Sequence, residues 1–209
     1  MGCKFIYRSA VFGWLVLLTA CGGNTLSTRS VTEFVDAADQ AFLRGDALAV
    51  CAARGATFAM HATEFKLAGN QKVSSFDEAQ EIASKRQAAG ELLGGESITM
   101  QRREYCAMAA ESRDYYKRAS MERSPLTIKI SADGKQAVVT AHYTVKEPVY
   151  EYGDSPHGNN ESVEHQVATR QSESDDESVI ELQDGDLKFI ATKSITKSFL
   201  VASERDRRL

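Results

Sequence analysis

The side chains able to do chemistry in this 209-residue chain are few and scattered. Its four histidines, His61, His142, His157 and His165, show neither the i, i+4 spacing nor the H-E-x-x-H pattern that presents two imidazoles to one metal. His142 and His165 are the pair that adjacent strands could bring together. No G-x-S-x-G elbow presents a serine nucleophile, and Gly94-Gly95 reads as a helix stop rather than a phosphate loop. Tyr143 follows His142 in an extended segment, so the two point to opposite faces, and the apolar parity of Val139, Ala141 and Val145 turns Tyr143 inward. The run SESDDES, Ser172 to Ser178, gathers four carboxylates but lacks the glycine and ligand spacing of a calcium loop. It reads as a solvated hairpin. No metal, cofactor or catalytic residue is assigned from these patterns.

Cysteine carries a more definite chemistry. Lys4 and Arg8 precede an apolar run, Ser9 to Ala20, of about a dozen residues, too short for the roughly 20 that span a bilayer. The run ends at Leu18-Thr19-Ala20-Cys21, which resembles the bacterial lipobox read by lipoprotein signal peptidase. The resemblance implies cleavage before Cys21, diacylation of its sulfur and acylation of its new amino group. Two or more acyl chains give a stable membrane anchor where one gives a reversible contact. Gly22, in place of Asp, implies the outer membrane where the source has two membranes. The Met-Gly-Cys start around Cys3 allows a eukaryotic acylated terminus instead, which the following hydrophobic core argues against.

Removal of residues 1–20 takes Lys4 and Arg8 with it and moves the formal charge from −4 to −6. So acidic a chain is a poor match for nucleic acid, whose phosphates demand a basic face. It also leaves Cys51 and Cys106 as two thiols in an oxidising setting. Paired, they close a loop of roughly 55 residues, which stabilises by about 4 kcal/mol on the chain-entropy model. The alternative is two buried free thiols.

The elements that must position these residues come in two blocks. Ser30 and Glu33 form a capping box opening a helix from Val31 to about Leu43, whose Val31, Phe34, Val35, Ala38 and Phe42 make one apolar stripe. Asp46 caps a second helix to roughly Arg54. The segment from Thr57 to Phe76 is ambiguous between helix and short strands, with a turn at Gly69-Asn70. Ser75 and Glu78 open a third helix to about Leu92, and Tyr105 to Met121 reads as a fourth. From Leu126 the apolar period changes to two. Leu126 to Ile130, a turn at Ala132 to Lys135, and a long strand through Val145 form a hairpin. Further strands are expected within Val163 to Ser172, Ser178 to Gln183 and Leu187 to Val201. Helices first and an antiparallel meander afterwards predict an α+β domain.

Paired helices broken at Gly45-Asp46, followed by LTIKISADGKQAVVTAHYTV and SVIELQDGDLKFIATKSI, resemble the nuclear transport factor 2-like superfamily. The resemblance implies N-terminal helices packed on a curved antiparallel sheet to make a cone. It covers Val31 to Val201, with Asp133-Gly134 and Asp184-Gly185 as the matched hairpin turns. The stretch from Glu91 to Ser124 is longer than the family carries there. The superfamily hosts ketosteroid isomerases, polyketide cyclases and dehydratases besides domains without catalysis, so the fold does not decide the function.

The organisation expected is a signal peptide (1–20), a lipidated tether (21–30), one α+β domain (31–201) and a polar tail (202–209). The function expected is a noncatalytic binding or assembly module of the cell envelope. Its partners would be the membrane, through the lipid on Cys21, and an envelope protein or a small apolar ligand. Tyr143, with Tyr150 and Tyr152 at a strand end, marks the expected pocket or partner edge. The alternatives are a small isomerase or hydrolase using the cone cavity, and a purely structural envelope protein. Two or more convergent ionisable groups inside the cone would favour the enzyme.

Overall fold

A computed structural model describes residues 25–68, 71–90, 95–154 and 162–202. The expected signal peptide, Cys21, His157, the expected turn at Gly69-Asn70 and nearly all of the 202–209 tail lie outside the described residues. Among the described residues no helix is long and apolar enough to cross a membrane.

Helix α1, Thr28–Leu43, begins one turn earlier than the sequence suggests. Its N-cap is Ser27, whose Oγ accepts from the Ser30 N–H at 3.0 Å, while Ser30 Oγ accepts from the Ser27 N–H at 3.0 Å. The box is therefore Ser27 with Ser30, and Glu33 instead pairs with Arg29, one turn back, at 2.8 Å. Val31 and Val35 are buried on the expected stripe. Asp46 caps α2, Ala47–Ala52, by accepting from the Ala49 N–H at 3.0 Å. Cys51 on α2 is disulfide-bonded to Cys106, Cα to Cα 5.5 Å.

The ambiguous segment resolves into one long strand, β1 Arg54–Lys66, and a short one, β2 Lys72–Val73. Helix α3, Phe76–Ala88, is shorter than expected. Ser75 Oγ accepts from the Glu78 N–H at 3.2 Å, but the Glu78 carboxylate reaches back to the Ser74 N–H at 2.6 Å rather than to Ser75. After β3, Gly95–Gln101, the expected helix from Tyr105 to Met121 is instead three elements, α4 Arg102–Glu111, α5 Arg113–Tyr116 and the start of β4 Ser120–Arg123. Glu104 caps α4 by accepting from the Gln101 N–H at 2.9 Å, so the helix starts upstream of Tyr105. It ends at Ser112, its C-cap, whose N–H donates to the Met108 carbonyl, and Ser120–Arg123 pairs with a later strand.

Strands β5 Thr127–Ile130, β6 Gln136–Asp154, β7 Ser162–Gln183 and β8 Asp186–Ala202 complete the sheet. Where two strands were expected between Val163 and Gln183, β7 runs through without a turn, because SESDDES is paired to β6 on one side and to β8 on the other. The order is β3-β1-β8-β7-β6-β4, with β5 also on β6 and β2 on β8. The sheet is not wholly antiparallel: β1 and β2 both run parallel to β8. The fold class is α+β, helices on a mixed sheet.

Apolar side chains gather in two clusters. The larger joins Leu26, Val31 and Val35 to Ala137, Val139, Ile180 and Phe189 between α1 and the sheet. The smaller packs Ala79 and Ala83 of α3, with Leu67 and Val73, on Phe199 of β8.

Candidate functional site

Beyond the larger apolar cluster, α1, α4, α5 and the inner face of the sheet enclose a cavity of about 330 Å³. Side chains on a strand alternate between faces, so every second residue of β7 reaches it: Ser172, Ser174, Asp176 and Ser178. Thr192, Ser194 and Thr196 of β8 continue this hydroxyl-rich floor. The floor is internally bonded: Ser194 Oγ donates to Asp176 Oδ1 at 2.7 Å, and Ser178 and Thr192 share a hydroxyl contact at 3.0 Å. Phe42, Met108 and Tyr116 line it from the helices, and Phe58, Met60 and Met121 from the flanking strands β1 and β4. A hydrogen-bonding patch is thus set among soft apolar side chains.

The ionisable groups of the cavity are held by specific partners. Asp39, one helical turn before Phe42, is ion-paired to Arg123 of β4, whose other nitrogen reaches Asp36 at 2.7 Å. Burial nevertheless pushes the Asp39 carboxyl up to about 6, against the pull of Arg123. Tyr143 hydrogen-bonds within the same cluster, and its phenol lies well above the usual range, first from burial and then from the Asp39 charge. Burial likewise raises Asp176, in spite of the hydrogen bond from Ser194. Glu147 is 8% exposed in the same wall. At the closed end the Arg54 guanidinium lies 4.5 Å from the Phe189 ring centre and 4.8 Å from that of Tyr105, and donates to Tyr105 Oη at 3.0 Å. A carboxyl near neutrality beside a phenol can hold or pass a proton; hydroxyls on the floor can orient a polar ligand edge.

Tyr143 lies on the cavity side of β6, and His142 is on the opposite face with Nδ1 2.9 Å from Asp175 Oδ1. His142 and His165 do not meet: β6–β7 register sets His142 against Asp175, and His165 against Glu151. His61 is bonded to Thr99 across β1 and β3 at 3.0 Å. Tyr150 sits under the Arg118 guanidinium, 4.9 Å from ring centre to carbon, outside the cavity lining. Tyr152 pairs by its backbone with Glu164, and its side chain lies outside the described residues, as does that of His165. Among the described residues, no group of three His, Cys, Asp or Glu is placed to hold a metal.

SESDDES is not a solvated hairpin. Its even positions, Ser172, Ser174, Asp176 and Ser178, face the cavity, and its odd positions, Glu173, Asp175 and Glu177, face outward. Both faces of the stretch are polar, so no apolar–polar alternation marks it as a strand in the sequence. Asp39 follows Ala38 on the α1 stripe and was legible as a polar interruption. Nothing local in the sequence pairs it with Arg123, 84 residues on.

No family model matches the chain, and no curated protein does. Solved structures similar to it include a nuclear transport factor 2-like protein with a cystatin-like fold from Novosphingobium aromaticivorans, 11% identical, covering 86% of each chain at a TM-score of 0.45. A second, of unknown function from Pseudomonas putida, is 11% identical over 80% of this chain and 84% of its own, at 0.44. A third, provisionally named a scytalone dehydratase, also from Novosphingobium aromaticivorans, is 9% identical over 80% and 82%, at 0.49. These likenesses assign no activity to the chain.

Proposed function

We propose that this chain is a membrane-anchored bacterial envelope lipoprotein, acylated at Cys21, whose exported domain holds a small ligand without converting it. The cavity's two-sided lining supports this reading. A floor of serines, threonines and Asp176 set among Phe, Tyr and Met side chains suits a molecule with an apolar body and a hydrogen-bonding edge. The ionisable groups already have partners: Asp39 is tied to Arg123, and Asp176 accepts from Ser194. The full chain, extracted from membranes in detergent and analysed by mass spectrometry, is expected to carry a copurifying small molecule. Ser174→Phe, which fills the floor, is expected to lose it severalfold, and equal recovery in both would count against the cavity. Cys21→Ser is expected to move the protein out of the membrane fraction.

A second reading, an isomerase or dehydratase working by acid–base transfer, is favoured by Asp39 near 6 beside Tyr143. The captured molecule, returned to the purified protein, separates the two. Recovery unchanged supports binding; conversion by the native protein but not by Asp39→Asn supports the enzyme.

A further inference from the structure

We infer that the domain stands on the membrane by its β5–β6 turn, so that the cavity opens away from the lipid surface and is filled from the aqueous side. This rests on the acylation of Cys21 proposed above and adds to it an orientation. The start of the described chain is docked rather than loose. Leu26 is 9% exposed and belongs to the main apolar cluster. Its N–H donates to the Gly134 carbonyl in the β5–β6 turn at 2.6 Å. Thr25 lies so close to Gly134 that a Cβ there would meet the Thr25 Cβ at 2.8 Å. Between Cys21 and Thr25 stand three residues, which at full extension reach roughly 14 Å. The lipid surface must lie within that reach of the turn.

The cavity lies farther along β6 from that turn. Gln136 leaves the turn, and β6 then carries Ala137 and Val139 into the apolar cluster and Tyr143, Val145 and Glu147 into the cavity wall. At about 3.3 Å per residue, Glu147 stands roughly 36 Å along the strand from Gln136. The membrane side of the helix–sheet space is filled by Leu26, Val31, Ile180 and Phe189. Entry on that side is therefore closed.

The test uses the full lipidated chain in phosphatidylcholine vesicles containing lipids with nitroxide headgroups. One fluorophore is attached by Lys135→Cys beside the turn or by Lys146→Cys beside the cavity, both exposed positions, with Cys51 and Cys106 protected by their bond. Fluorescence at position 135 is expected to be quenched severalfold more than at position 146. A dozen Gly and Ser residues inserted between Gly23 and Asn24 should erase the difference by lengthening the tether. Equal or reversed quenching in vesicle-bound protein overturns the orientation and leaves the anchor standing. If the protein does not bind vesicles, or if Cys21→Ser binds as well as the native chain, the anchor fails and the orientation with it.

Discussion

Helix α1 and the sheet face each other along their whole shared length, yet the two halves of the space between them are filled by opposite means. Near the β5–β6 turn the inner positions are Val31 and Val35 on α1, Val139 on β6, Ile180 on β7 and Phe189 on β8. Farther along the same elements they become Asp39, Tyr143, Asp176 and Ser194. Between the halves the β7–β8 register shifts at Val179/Ile180, and side-chain size and polarity change with it. One sheet thus carries a packed half that holds the fold and a hollow half whose groups are held by hydrogen bonds and one ion-pair cluster.

The largest expected effect lies in the packed half. Ile180 is fully buried, so Ile180→Ala should cost about 2–5 kcal/mol in denaturant unfolding. A cost under about 1 kcal/mol would mean that the packed half is no better filled than the hollow one. Next, replacing Cys51 and Cys106 together by Ser should cost about 2–4 kcal/mol. Because Tyr105 and Met108 of α4 line the cavity beside the bonded Cys106, it should also weaken retention of the copurifying molecule. Lost stability with intact retention would separate the cavity lining from the bond.

The third test uses pH. Asp39 binds its proton more tightly folded, near 6, than unfolded, near 3.8, so its contribution favours folding below the lower value and is lost as pH rises through about 6. Stability of the native chain should therefore fall from pH 4 to pH 7 by up to roughly 3 kcal/mol more than that of Asp39→Asn. Equal slopes would show that Arg123 fully offsets the burial of the carboxylate. The smallest effect belongs to the floor: Ser178→Ala, which removes one hydroxyl contact with Thr192, should cost no more than about 1 kcal/mol.

Much of the packed half was legible in the sequence, because its residues are local repeats: the α1 stripe, the Leu126 to Ile130 alternation and the hairpin turns. The register between β6 and β7 was not, since a polar inner face removes the apolar alternation that marks a strand, and SESDDES then looks like a turn. The region from Gly95 to Arg123 was misread for a related reason. Its strands are edges with mostly exposed side chains, and only pairing with β1 and β6 makes them strands. Asp39, Arg123 and Arg54 belong to the site through contacts far apart in sequence, which no local pattern announces.

Strand β7 runs through both halves, paired to β6 from Ser162 to Glu181 and to β8 from Ala168 to Gln183. To open the cavity floor, the chain must release amides that the ladder shares with the packed half. The consequence is a mechanical one: whatever settles on Asp176 and its serines also stiffens the strand that carries Ile180. Occupancy of the hollow half would then be read as slowed hydrogen exchange in the packed half, some distance from any contact with the occupant.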